Sequence, residues 1–140
     1  MDFLKEFEKT MENTATFALA TSVKDIPNVR IITFYYDNQN NNVIYFPTFK
    51  QSPKTMEISQ NNKVAFTTIP DGTVGIVRVK NATIKKSDLT VYDIKDGITK
   101  KYPNFATTVE KAGAMMEVYE VHFEEAEITV NYGNVGKLTF

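Results

Sequence analysis

The sequence contains no cysteine, no tryptophan and one histidine, His122. Without thiols there is no disulfide framework, no thiolate nucleophile and no cysteine-bearing metal site, although this indicates a reducing compartment only weakly. A lone imidazole in an alternating stretch reads as an ordinary surface or core residue, not as a metal ligand or a member of a triad. Charge of one sign is missing too: 16 basic side chains stand against 17 acidic ones for a net of −1, so the electrostatic footprint of a general nucleic-acid binder is absent. Any anion site must therefore be local. No apolar run approaches the roughly 20 residues that span a bilayer, and MDFLKEFEKTMEN carries acids where a secretory signal needs positive charge. A soluble, cytoplasmic protein with neither membrane nor nucleic-acid partner is expected. Glycine-rich phosphate loops are lacking as well, since neither a P-loop nor a dinucleotide fingerprint occurs.

What the chain has is apolar and aromatic. Of its 140 residues 42% are hydrophobic, with 10 Phe and 7 Tyr, enough for one core and a single domain over 1–140. Leu4, Phe7 and Met11 at helical spacing, with Phe3 beside them, predict an amphipathic helix over 2–12. TFALATS (16–22) and VRIITFYY (29–36) read as a hairpin joined by KDIPN, and after the polar loop 37–42 a third strand follows at 43–46. The stretch 63–69 returns as a strand, Pro70-Asp71-Gly72 turns, and 74–86 is a long strand with Val77 and Val79 opposite Ile76, Arg78 and Lys80 and a bulge or bend at Asn81-Ala82. Ser87-Asp88 reads as the cap of a helix that Gly97 stops, TKKYPNF as a loop, and 106–114 as a further short helix. Residues 117–123 and 126–130 alternate as strands about a Glu124-Glu125 turn, and the glycines of YGNVGKLTF loosen any strand there. The class is mainly β: about six or seven short sequential strands with peripheral helices suggest a small closed or partly closed β-barrel.

One junction concentrates chemistry. In YFPTFKQSPK (45–54), Ser52 suits a helix cap and Pro53 the first helical position, where a missing N–H has no partner to lose. Such a terminus offers backbone N–H groups and the positive end of a dipole to a phosphate. Lys50 and Lys54 flank it, the hydroxyls of Thr48 and Ser52 lie near, and a hairpin through Asn40 would set Arg30 across from Tyr45, Phe46 or Thr48. Arginine binds phosphate bidentately. The competing reading is a capped helix ringed by solvent-facing charges.

Taken in order, VRIITFYYD, VIYFPTFKQSPKTMEISQNNKVAF and VGIVRVKNATI resemble the pyridoxamine 5′-phosphate oxidase-like flavoproteins, the FMN-binding split-barrel superfamily. The resemblance covers residues 16–87 well and the remainder loosely. It implies an antiparallel Greek-key split β-barrel of six to seven strands with peripheral helices, and FMN as cofactor, with Arg30 and Lys54 on the phosphate and Ser52 and Lys50 assisting. Ile31, Ile32 and Thr33 would run along the isoalloxazine, and Tyr45, Phe46 and Thr48 would line its other side. It also implies a homodimer with flavin at the interface, reached by Arg78 or Lys80 of the partner copy, and a small-molecule substrate reduced or oxidised through flavin N5, with NADPH or NADH as candidate reductants. No catalytic side chain and no metal is assigned. The chain departs from the pattern at Asn81, where the family often has glycine, and its end, GNVGKLTF, lacks the Arg and His that the true pyridoxamine-phosphate oxidases carry for substrate. A small general-stress or nitroimidazole-resistance type of member is expected, with a non-enzymatic FMN or haem carrier or sensor as the alternative. Residues 87–114, lacking a strand pattern, are the expected cover over the flavin face.

Overall fold

A computed structural model describes residues 1–131 and 133–140. In chain order it comprises α1 (Phe3–Asn13), β1 (Thr16–Val23), β2 (Ile26–Thr33), β3 (Tyr35–Tyr36), β4 (Val43–Phe49), α2 (Pro53–Gln60), β5 (Lys63–Thr68), β6 (Ile76–Lys86), α3 (Val91–Lys101), α4 (Phe105–Ala112), β7 (Met116–Phe123), β8 (Glu125–Asn131) and β9 (Asn134–Thr139). The strands form one antiparallel sheet in the order β2-β1-β5-β6-β7-β4-β3. The two ends of that order, β2 and β3, are separated in sequence by Phe34 alone. The sheet must therefore curl until its ends approach, which makes a half-barrel.

The split comes from β6, the longest strand. Its first part, Ile76 to Arg78, pairs with β8, and its last part, Ala82 to Lys86, pairs with β7. Between them the pairing with β5 shifts register, three steps along β6 (Val79 to Ala82) matching two along β5 (Val64 to Phe66). The irregularity expected at Asn81-Ala82 is thus present, and it bends β6 from one neighbour to the other.

Phenylalanine fills the interior. Phe17 meets Phe34 at 5.4 Å and Phe66 at 5.6 Å between ring centroids, both edge to face, the geometry that the ring quadrupole favours. α1 closes one end: Asp2 caps it by accepting from the Lys5 N–H at 3.1 Å, and Phe7 and Met11 are fully buried. Leu4 is exposed and Phe3 packs inward, so the buried stripe is Phe3, Phe7, Met11 and not the Leu4 line read from the sequence. A second core lies outside the barrel, where Val91, Ile94 and Ile98 of α3 and Phe105 and Val109 of α4 cover Val43, Tyr45 and Val118. Hence β4 is buried on both faces from Val43 to Thr48. No helix among the described residues is long and apolar enough to cross a membrane.

Several boundaries differ from the sequence reading. The strand expected over 29–36 breaks at Phe34 into β2, paired with β1, and β3, paired with β4. The KDIPN turn is only Lys24 and Asp25, with φ of 50° and 65°, the doubly positive pair of a tight hairpin turn; Pro27 is accommodated because β2 is an edge strand. α3 is capped by Thr90, whose backbone N–H donates to Asp93 Oδ2 at 2.7 Å, and it runs through Gly97 to Lys101, taking in the first three residues of the expected loop. The glycine is there for packing: a Cβ on it would stand 2.2 Å from the Tyr35 ring. The tail expected to be loose forms β9 on β8, and its first residue, Tyr132, lies outside the described residues. The extra strands arise from these two places, the break at Phe34 and the tail.

Candidate anion and cofactor site

β4 runs into α2 through a turn in which Ser52 N–H donates to the Phe49 carbonyl at 3.2 Å and Gln51 takes φ of 64°. Holding a non-glycine residue there costs about 1 kcal/mol or more. Pro53 occupies the first turn of α2 as expected. Ser52 stands at the cap position but makes no side-chain bond to the helix. Its Oγ instead meets Thr48 Oγ1 at 3.0 Å and lies 3.5 Å from Lys54 Nζ. Lys54 Nζ donates to Thr48 Oγ1 at 2.7 Å. Two hydroxyls and an ammonium therefore converge on one point beside the start of α2.

Arg30 reaches the same neighbourhood by a route the sequence did not show. It pairs across β1 with Leu19, not across β4, because the break at Phe34 separates its strand from the 35–45 hairpin. Its Nη1 donates to Thr21 Oγ1 at 2.8 Å, and its Nη2 to Glu57 Oε1 at 2.8 Å. Glu57 also accepts from Thr21 Oγ1 at 2.7 Å and Asn28 Nδ2 at 3.1 Å. These bonds, led by Thr21, hold its carboxyl below the usual range despite some opposition from burial. The packing of α2 on β1 brings Arg30 close enough to Lys54 for its charge, after burial, to push the Lys54 ammonium below the ordinary lysine value. Among the described residues the ion pairs are Arg30–Glu57, Lys85–Glu120 and His122–Glu120. Lys54 has none.

The other expected residues divide by strand parity. Ile31 points out of the sheet and is 66% exposed, as is Val29 at 63%, and Thr33 is half-buried on the same side. Ile32 faces the barrel interior. Phe46 is fully buried there, stacked on Tyr119 with centroids 5.9 Å apart. Tyr45 faces the other way, into the helix layer, 5.9 Å from Tyr35. The rings expected as a cofactor wall are thus occupied in two cores, and the open apolar surface of β2 is its outer face, opposite the face that Arg30 shares with Leu19 and Thr21. Lys50 is exposed, with Nζ 3.5 Å from the Ala114 carbonyl, apart from the Thr48–Ser52–Lys54 cluster. Arg78 and Lys80 are exposed on β6 and border a separate hollow with Glu125, Glu127 and Lys137. His122 bonds Glu120 Oε1 at 2.8 Å at the surface, and no group of metal ligands occurs among the described residues.

Sequence reading missed Thr21, Asn28 and Glu57. The signal was available for one of them: Glu57 lies one helical turn after Lys54, so both point to one face of α2.

A family profile described as pyridoxamine 5′-phosphate oxidase-like matches residues 10–135. Among solved structures, General Stress Protein 26 from Bacillus anthracis str. Sterne aligns over 100% of both chains at 15% identity and a TM-score of 0.69. A heme binding protein from Mycobacterium smegmatis aligns over 99% of this chain and 58% of its own at 9% identity and a TM-score of 0.76. A FAD-binding protein from Mesorhizobium loti aligns over 87% and 90% at 14% identity and a TM-score of 0.60. A search of curated proteins finds no sequence match.

Proposed function

Because the chain belongs to the pyridoxamine 5′-phosphate oxidase-like family, we propose that it is an FMN-binding oxidoreductase acting on a small molecule, with the socket at the start of α2 as the phosphate site. The observation that carries this is the convergence of Thr48, Ser52 and Lys54 beside Arg30, where one of two neighbouring cations has no anion. Burying a cation without a partner is costly, and a dianionic phosphate removes that cost for Lys54. The donor set fits a phosphate monoester: an ammonium, a guanidinium, two hydroxyls and a helix N-terminus. Ile31, Ile32 and Thr33 follow Arg30 directly along an edge strand, where a flavin ring beside the socket would meet backbone groups.

In this reading Lys54 and Arg30 neutralise the phosphate, while Thr48 and Ser52 orient it. Bound FMN supplies hydride or single-electron transfer; no protein acid or base is needed for that exchange. The protein's part is to bind, orient and shield.

Titration with FMN and with riboflavin, followed by quenching of flavin fluorescence, tests the proposal. Arg30→Ala weakens FMN by about 2–3 kcal/mol, the worth of a charged hydrogen bond to phosphate, and leaves riboflavin nearly unchanged. Equal losses for both ligands remove Arg30 from the phosphate. Reduction of the bound flavin by NADPH or NADH, with turnover of an acceptor, distinguishes an enzyme from a carrier.

A further inference from the structure

A cleft of about 900 Å³ opens between the C-terminal end of α1, β3 with the turn after it, the Ile69–Asp71 turn and the last turn of α3. None of Arg30, Thr48, Ser52 or Lys54 borders it. On its wall is Lys101, a half-buried lysine whose Nζ sits 3.8 Å from the centroid of the Phe34 ring and 3.4 Å from the Met11 carbonyl it donates to. No carboxylate pairs with it among the described residues. Tyr36 borders the same cleft, but its hydroxyl is buried away from it without a hydrogen-bond partner. The cleft thus contains an amine with no counter-ion among the described residues.

The groups facing the cleft are Glu12 from α1, Tyr35, Tyr36 and Asp37 from β3 and its turn, Asp71 from the β5–β6 connection, and Lys100 beside Lys101 on α3. Three carboxylates against two lysines disfavour an anionic ligand, and their oxygens suit ligand hydroxyls. We propose that Lys101 is the nucleophile of a second ligand site, which captures small, uncharged, hydroxyl-bearing aldehydes as imines. The Nζ lone pair adds to the carbonyl carbon, the carbonyl π pair moves to oxygen, and that oxygen takes up a proton. Loss of the hydroxyl as water and of the Nζ protons leaves C=N. The step is reversible and needs no oxidant or reductant.

Only a neutral amine adds to a carbonyl. Phe34 and the Met11 carbonyl favour the ammonium, but burial outweighs them and brings Lys101 down to about 8 from 10.5. Burial therefore leaves a larger share of free amine near neutral pH than an ordinary lysine has.

The test uses the intact chain, glyceraldehyde as probe and cyanoborohydride to trap the imine, with peptide mass mapping at early times. Lys101 is expected to be labelled at least tenfold faster than Lys100, its exposed neighbour on the same cleft, with a rate that levels off near pH 8 while that of Lys100 still rises. Equal or slower labelling of Lys101 overturns the proposal. Glyceraldehyde 3-phosphate is expected to label Lys101 more slowly than glyceraldehyde; the reverse order overturns the ligand class. The comparison lies within one folded chain and without flavin, so loss of the FMN reading leaves it standing.

Discussion

Glu57 answers Arg30 and leaves Lys54 alone, and that asymmetry sets what each cation can do. The Arg30–Glu57 pair is about one-fifth exposed on each side, so part of its attraction is screened. A phosphate approaching Lys54 meets the Glu57 carboxylate as a like charge a few ångströms beyond Arg30. Glu57→Gln keeps an acceptor for Thr21 and Arg30 while removing that charge. It is expected to tighten FMN about fivefold, some 1 kcal/mol at an intermediate dielectric, while destabilising the free protein by about 1 kcal/mol in urea unfolding. The pH dependence follows from the depressed carboxyl. Its stabilisation is fully present above the ordinary value of 4.5 and is lost as pH falls through the lower folded value. The variant therefore differs most from the parent at neutral pH, and the gap closes in acid.

α3 shows how packing overrides local preference. Alanine in place of glycine within a helix is worth about 1 kcal/mol in propensity, so Gly97→Ala would stabilise an isolated helix. Here the new methyl meets Tyr35 at 2.2 Å, and Tyr35 is itself packed on Tyr45. Displacing a ring from a filled layer costs about 1–3 kcal/mol, which exceeds the gain. A net loss of about 1 kcal/mol is expected in thermal or denaturant unfolding. A rise in stability would show that Tyr35 swings out freely. In α2 the cap works the other way: Ser52 gives up a bond to its own helix, worth about 1 kcal/mol, and serves Lys54 and Thr48 instead. The hydroxyl that would cap the helix is part of the polar cluster instead.

Seen from outside, the curled sheet presents an apolar strip on its edge strand. Val29 and Ile31, on the outer face of β2, are each more than 60% exposed, and among the described residues the strand is paired along one edge only. Exposed apolar groups on the outer face of an edge strand suit a second copy of the chain. We infer a homodimer closed over this face. Ile31→Glu places a charge where that interface would exclude water, at a cost of several kcal/mol. Sedimentation is expected to show dimers for the parent and monomers for the variant, with FMN binding weakened in parallel. A monomeric parent that still binds FMN with full affinity would remove the second copy from the site.

Periodicity and residue type were sufficient for the class of fold, the placement of α1 and α2, the alternation along β6 and the cluster Thr48, Ser52 and Lys54, because each depends on residues within one or two turns of one another. The folded arrangement was required for the rest. Phe34 interrupts a continuous β-rich run because the curled sheet must close around it, and nothing local marks that break. Arg30 joins Lys54 through α2 lying on β1, a contact between residues far apart in sequence. Tyr45 and Phe46 are adjacent aromatics whose opposite faces enter two different cores, and which core each fills depends on α3 and α4 covering β4 from outside. Lys101 reads in sequence as one more solvated lysine in a basic loop. Its unpaired amine exists only because the last turn of α3 folds back over Phe34 and the end of α1, where burial outweighs the favourable contacts that remain.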